Sequence, residues 1–263
     1  MHNQVNRQIF RYLILVFVFA WTAEGLLILG EKSGILTGTS GLVITFLIIG
    51  LLAGLSPVYA SAILFYRQKR ISNFTSFLKL IVDTPNTIKT VVLTLLFFIG
   101  LFLINFSFES LIGNPSYYFL LLFPFMILGG GMEEVGWRGY LQPLLERKFS
   151  FTLTSLIIGI IWGLWHLPLW FIQAANQSNM NYFSFVVYCI AFSFIIGLLY
   201  RITKSTFACV LLHAWGNTLQ GMFTMNYLTQ PLDLKLILTW TCIVLVIIGI
   251  SHIADRFQYK VIQ

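Results

Sequence analysis

Residues 90–107 read TVVLTLLFFIGLFLINFS, eighteen positions without a charge. At about 1.5 Å per residue a helix of that length spans ~27 Å, close to the hydrocarbon thickness of a bilayer. Working outward, comparable apolar runs recur at roughly 10–30, 42–66, 89–112, 117–145, 151–173, 183–200, 205–223 and 234–254. This pattern predicts an all-α fold, a polytopic transmembrane helical bundle of about eight helices. No internal repeat or low-complexity linker interrupts it, so residues 1–263 read as a single transmembrane domain. Composition agrees: the chain is 58% hydrophobic and 10% charged, with a mean hydropathy of +0.85. A soluble domain carries about 25% charged residues. A soluble globular protein, a disordered chain and a disulfide scaffold are thereby excluded.

The charged residues that remain are placed informatively. Thirteen Lys and Arg (Arg7, Arg11, Arg67, Lys69, Arg70, Lys79, Lys89, Arg147, Lys148, Arg201, Lys204, Arg256 and Lys260) fall at one set of alternate run ends, against Lys32 and Lys235 at the other. Insertion keeps Lys and Arg cytoplasmic, so both termini are expected in the cytoplasm, with the first run retained as a helix and the chain in a bacterial plasma membrane. The net charge of +7 is accounted for by topology and anionic lipid. No contiguous basic patch exists for nucleic acid. Residues 67–88 form the longest cytoplasmic connection. There Ile71, Phe74, Phe77, Leu78, Ile81 and Val82 recur at helical spacing, as in a helix lying on the inner leaflet. Cys189, Cys209 and Cys242 all lie in apolar runs and read as buried thiols.

Ionisable residues inside a membrane cost free energy and point first to function. The densest group is Gly129-Gly130-Gly131-Met132-Glu133-Glu134-Val135-Gly136-Trp137-Arg138-Gly139, within a run too long for one simple span, so a tilt or break is expected there. His166 follows in the fifth run, then His213 and Asn217 in the seventh. Counted along their helices, Glu133, His166, His213 and Asn217 all fall roughly 12–23 Å from the cytoplasmic side. Glu134 and Arg138 are spaced i,i+4 and can pair, whereas Glu133 points about 100° away and lacks that partner. An unpaired, partly desolvated carboxylate suits a general base. His213 and Asn217, also i,i+4, converge on one patch. The glycines permit close helix approach. The bland alternative is a buried ion-pair cluster with histidines bonding across helices.

Glu-Glu-x-x-x-Arg at 133–138, aromatic-x-x-x-His at 162–166 and His-x-x-x-Asn at 213–217 resemble, in order, the three motifs of the CPBP family of intramembrane proteases. These are related to the CAAX-prenyl endopeptidase and to bacteriocin-processing and abortive-infection proteins. The catalytic core is then about 117–223, with Trp162 standing where the family usually has Phe. The resemblance implies an endopeptidase in which Glu133 with His166 polarises water and His213 with Asn217 stabilises the oxyanion. Glu134, Arg138 and Trp162 support the site. The substrate would be a peptide or membrane protein. The residue types leave cofactors open. Glu133, His166 and His213 could supply a His2Glu zinc set, whereas Asn217 is a poor zinc ligand and a good oxyanion donor.

Other chemistries fit less well. His-Glu-x-x-His is absent, and Asp83, Asp233 and Asp255 lie in loops or at ends. Gly38-Thr39-Ser40-Gly41 matches the rhomboid Gly-x-Ser-Gly but sits in an outer loop far in depth from His166 and His213. Glu24 and Glu109 read as snorkelling to the outer interface or bonded locally. A transporter or a non-enzymatic immunity or regulatory protein using the same polar cluster is the rival class. Transporters often show paired polar helices in two halves, however, and here the polar load sits in runs four, five and seven alone.

Overall fold

The computed structural model describes residues 2–112 and 117–261. The side chains of His2, Phe108 and residues 257–263, Lys260 among them, lie outside the described set. Within it the chain is helical throughout apart from turns and one isolated bridge between Leu111 and Phe223. Among the described residues, seven helical runs are long and apolar enough to cross a membrane. The eighth expected run, 205–223, is a shorter helix, Thr206–Gln220. The chain is a polytopic helical membrane protein.

Helix α1 spans His2–Lys32. Helices α2 (Gly38–Leu47) and α3 (Ser56–Arg67) are joined by a π-helical segment, Ile48–Ala53, so together they make one bent crossing. Helix α4 (Phe74–Val82) follows a reciprocal cap in which Asn73 Oδ1 accepts from Ser76 N and Ser76 Oγ accepts from Asn73 N. Of its expected apolar residues, Phe77 and Ile81 are buried in the core while Phe74, Leu78 and Val82 face outward. The helix therefore lays one apolar face on the bundle and offers a second to the membrane surface.

Helix α5 (Thr87–Phe108) is largely lipid-facing, exposing Val91, Leu95, Leu96, Ile99 and Leu103. Helices α9 (Phe151–Trp165), α10 (Tyr182–Thr203) and α11 (Thr206–Gln220) form the buried centre. Ser150, Asn181 and Ser205 accept the free N–H groups at their starts. Gly159 brings α9 onto α10 at backbone distance, since a Cβ there would sit 2.5 Å from Ile190 Cα. After the short helix α12 (Asn226–Thr229), α13 (Leu234–Val261) closes the bundle. At the basic end Arg201 ties α10 to α13 through Asp255 at 2.9 Å and to Glu146 at 3.1 Å.

The fourth run breaks, one of the two outcomes that its length and charge predict. Helix α6 (Tyr118–Leu128) stops at Gly129 and is followed by a 3-10 turn at Gly131–Glu133. Then come a single helical turn α7 (Glu134–Gly136), a π-helical segment Trp137–Leu141 and α8 (Gln142–Leu145). Close approach explains the glycines. A Cβ on Gly131 would lie 2.6 Å from Val210 O, and one on Gly136 would lie 2.5 Å from Pro57 O. The broken segment is thereby pressed between α3 and α11, deep in the bundle.

Two expectations are corrected. Cys189 and Cys209 are buried, but Cys242 is exposed on α13, because this edge helix turns most of its apolar surface to lipid. Glu24 does not snorkel. It is 2% exposed on the inward face of α1. Glu109 matches the local-bond reading, accepting from Asn226 N at 2.9 Å and Tyr227 N at 3.0 Å.

Candidate active site

The break in the fourth run decides where its carboxylates go. With the chain turned at Gly129–Gly131, Glu133 and Glu134 enter the bundle at the level of α11, and both are buried. Arg138 follows one turn on with no exposed surface, its Nη1 2.8 Å from Glu134 Oε2. That contact is an ion pair lying off the hydrogen-bond line. The Arg138 Nη2 is better aligned, donating to Ser193 O and Oγ on α10 at 3.1 Å each. The guanidinium also sits 5.9 Å from the Trp162 ring.

Glu134 serves a second partner. Its Oε1 lies 2.8 Å from His213 Nδ1. A carboxylate can only accept, so His213 presents its Nδ1–H to Glu134 and its Nε2 to the space beyond. Asn217 lies one turn along α11, and Gly130 passes directly over both. A Cβ on Gly130 would fall 2.2 Å from Asn217 Nδ2 and 3.3 Å from His213 Nε2. The His-x-x-x-Asn spacing therefore places two polar groups against the backbone just upstream of Glu133.

Glu133 makes no ion pair among the described residues. Its Oε2 instead accepts from two indoles, Trp162 Nε1 at 2.9 Å and Trp137 Nε1 at 3.3 Å. Both donors are neutral, so the carboxylate is aimed without being neutralised. Trp162 also packs edge-on to His213, ring centroids 5.1 Å apart, and stacks on Phe192. His166 ends α9, where Pro168 prevents the helix from continuing. Its Nδ1 lies 2.8 Å from Trp162 O, a carbonyl that can only accept, which leaves Nε2 unprotonated in the neutral ring. Trp165, 4.5 Å away, and Phe185, 5.1 Å away, hold the imidazole edge-on.

Glu133, His166, His213 and Asn217 line one cavity of about 460 Å³. From Glu133 it extends past Leu122 and Met126 to Asn176, Gln177 and Met225. Those last residues belong to loops at the end of the bundle opposite the Lys- and Arg-rich connections. Ser40, the serine of the rhomboid-like tetrapeptide, is exposed and is not among the lining residues.

The residue types leave a zinc set open. Among the described residues no group of three or more His, Cys, Asp or Glu side chains is arranged to hold a metal ion, and Glu133, His166 and His213 are no exception. Each is drawn to a separate anchor: Glu133 to the indoles, His166 to the Trp162 carbonyl and His213 to Glu134.

Three features went unread in the sequence: the indole pair on Glu133, the contact of Glu134 with His213 across 79 positions, and Glu24, which lines the same cavity. Trp137 was visible as i+4 from Glu133, a spacing that puts the two on one face.

Gly130→Ala should leave the chain folded, since the atoms it meets are the ends of Asn217 and His213, but it should displace both. Misplacement of this order lowers turnover by about 10²-fold. Gly129→Ala, whose Cβ would find its nearest neighbour at 3.4 Å, serves as the control and should remain near native. Equal activity in the two variants would contradict this placement.

Comparison with known proteins bears on the same segment. Residues 115–219 match the family described as type II CAAX prenyl endopeptidase Rce1-like. The CAAX prenyl protease 2 of Methanococcus maripaludis is 38% identical over 55 residues, which make up 21% of this chain and 20% of that protein. Lysostaphin resistance protein A of Staphylococcus haemolyticus is 29% identical over 174 residues, 63% of this chain and 46% of that one. The chain thus spans between a fifth and just under half of the length of these relatives. The resemblance carried by Glu133, Glu134, Arg138, His166, His213 and Asn217 is a match to the CAAX prenyl endopeptidase family across 115–219, a stretch that holds all six residues.

Proposed function

We propose that the chain is an intramembrane endopeptidase that hydrolyses a peptide bond with water activated by Glu133 and His166. The observation that carries this reading is the convergence of four polar side chains, from three separate stretches of sequence, on one cavity inside a membrane bundle. Glu133 takes a proton from the water while His166 Nε2 accepts a hydrogen bond from it. The water oxygen attacks the scissile carbonyl carbon, and the carbonyl oxygen becomes an oxyanion. Asn217 Nδ2 donates to that oxygen. His213 donates as well when both its ring nitrogens carry protons, Nδ1–H toward Glu134 and Nε2–H toward the oxyanion. The intermediate collapses as the C–N bond breaks, and the proton held by Glu133 passes to the leaving nitrogen. A carboxylic acid and an amine result, and the acid's proton passes to the amine to give carboxylate and ammonium. Each step draws on the chain's own side chains alone.

The substrate is a peptide or a membrane protein that reaches the cavity from the membrane or from the Asn176–Gln177 end. With the Lys- and Arg-rich ends cytoplasmic, that mouth faces outward, as expected for a bacterial plasma-membrane protein. In a chain whose own cysteines are replaced, Asn179→Cys should react with an impermeant thiol reagent on intact cells and Lys204→Cys should not. The reverse pattern would sink the orientation.

A second reading draws on the resistance protein among the relatives, which matches the greater share of this chain. In it the same cavity serves a non-enzymatic protective role. Comparing membrane peptides from cells carrying the native chain and Glu133→Ala separates the two. Cleavage products lost in the variant support the peptidase. Identical peptide sets with a retained protective phenotype support the alternative.

A further inference from the structure

Helix α1 brings a further ionisable group to the cavity. Glu24 is 2% exposed, lines the cavity beside Glu133, and has an Oε2 with no hydrogen-bond partner. Its carboxylate and that of Glu133 line the same cavity. No Lys or Arg lines the cavity, and the buried Arg138 is already held by Glu134 and Ser193. The two imidazoles of the lining are held by Glu134 and by the Trp162 carbonyl, so among the described residues the Glu24 carboxylate has no cationic partner there.

Burying a carboxylate without a partner is costly, and retaining two in one cavity calls for something to complete them. Glu133 has its indoles, whereas Glu24 has no hydrogen-bond partner: its Oε2 is sealed in the wall, and a ligand would meet the carboxylate from the side that lines the cavity. There is room for a partner: Gly50, on the π-helical segment, lines the cavity, and a Cβ there would meet no atom within 4 Å. Ile49, Leu122 and Met126 supply apolar wall. A long aliphatic stem ending in a cation fits such a space, with the stem on the apolar wall and the head on the carboxylate.

We propose that Glu24 is the anionic anchor of a subsite that accepts a lysine or arginine side chain of the substrate, making the enzyme selective for basic peptides. The proposal rests on the peptidase reading of the cavity for its biological meaning, but not for its test.

The test is ligand-dependent thermal unfolding of the purified full chain in detergent, with n-butylguanidinium and its neutral isostere N-butylurea as probes. The guanidinium should raise the midpoint by about 3 °C near saturation, and the urea should not. Glu133→Gln should keep this preference, Glu24→Asp should keep part of it, and Glu24→Gln should lose it. If Glu24→Gln fails to fold, the native and Glu24→Asp measurements still decide. Equal response of the native chain to both probes, or an unchanged preference in Glu24→Gln, overturns the proposal. Matched peptides carrying arginine or citrulline then connect binding to turnover. A cation preference without cleavage of either peptide keeps the subsite and removes the peptidase reading. Cleavage of both at equal rates keeps the peptidase and removes the subsite.

Discussion

Glu133→Gln is expected to lower peptide hydrolysis by about 10²- to 10⁴-fold, the range a positioned general base supplies, while leaving the chain folded. The amide keeps the shape of the carboxylate. Its oxygen can still accept from Trp162 and Trp137, which lie 2.9 and 3.3 Å from Oε2 in the native chain. No ion pair is broken, because Glu133 has none among the described residues. Stability should therefore change by no more than about 1 kcal/mol, the worth of a rearranged hydrogen bond. What is lost is the capacity to take a proton from water. The measurement is turnover by purified protein alongside its unfolding midpoint. A folded Glu133→Gln with near-native turnover would remove Glu133 from the role of base.

The sequence makes some of this legible and conceals the rest for identifiable reasons. The bundle is readable because hydrocarbon thickness fixes how long an apolar run must be, and 90–107 meets that length without help from the rest of the chain. That the fourth run tilts or breaks is readable because it is too long for one crossing and carries charge; that the break falls at Gly129–Gly131 shows only in the fold. The pairing of Glu134 with Arg138 is readable because i,i+4 neighbours share a helix face. This pairing persists although a π-helical segment begins at Trp137.

Contacts between helices are a different matter. That Glu134 also meets His213 depends on the rotation of α11 about its own axis, which is set by packing at Gly130 and Gly131 and not by any pattern within α11. Glu24 is concealed for a similar reason. Helix α1 is apolar on every side, so its sequence does not say which face is buried. Only the fold shows that the face carrying Ala20, Glu24 and Leu27 turns inward.

Glu134→Gln should produce the largest loss of stability of any single substitution in the site, about 3–5 kcal/mol, and should also lose activity. Glu134 is completely buried and holds Arg138 through one oxygen and His213 through the other. Removing its charge strands a buried guanidinium whose Nε already lacks a partner. The double variant Glu134→Gln/Arg138→Met separates the two roles. Removing both charges eliminates the stranded cation, so the double variant should regain much of the stability lost by Glu134→Gln alone. Activity should not return with it, because His213 still lacks the carboxylate that fixes its ring and faces the doubly protonated form. Glu134 is thus a positioning residue, and the readout particular to that role is turnover at restored stability. Recovery of turnover together with the unfolding midpoint would mean that Glu134 serves the fold alone and that the orientation of His213 is set by Trp162 and Phe192, which flank its ring.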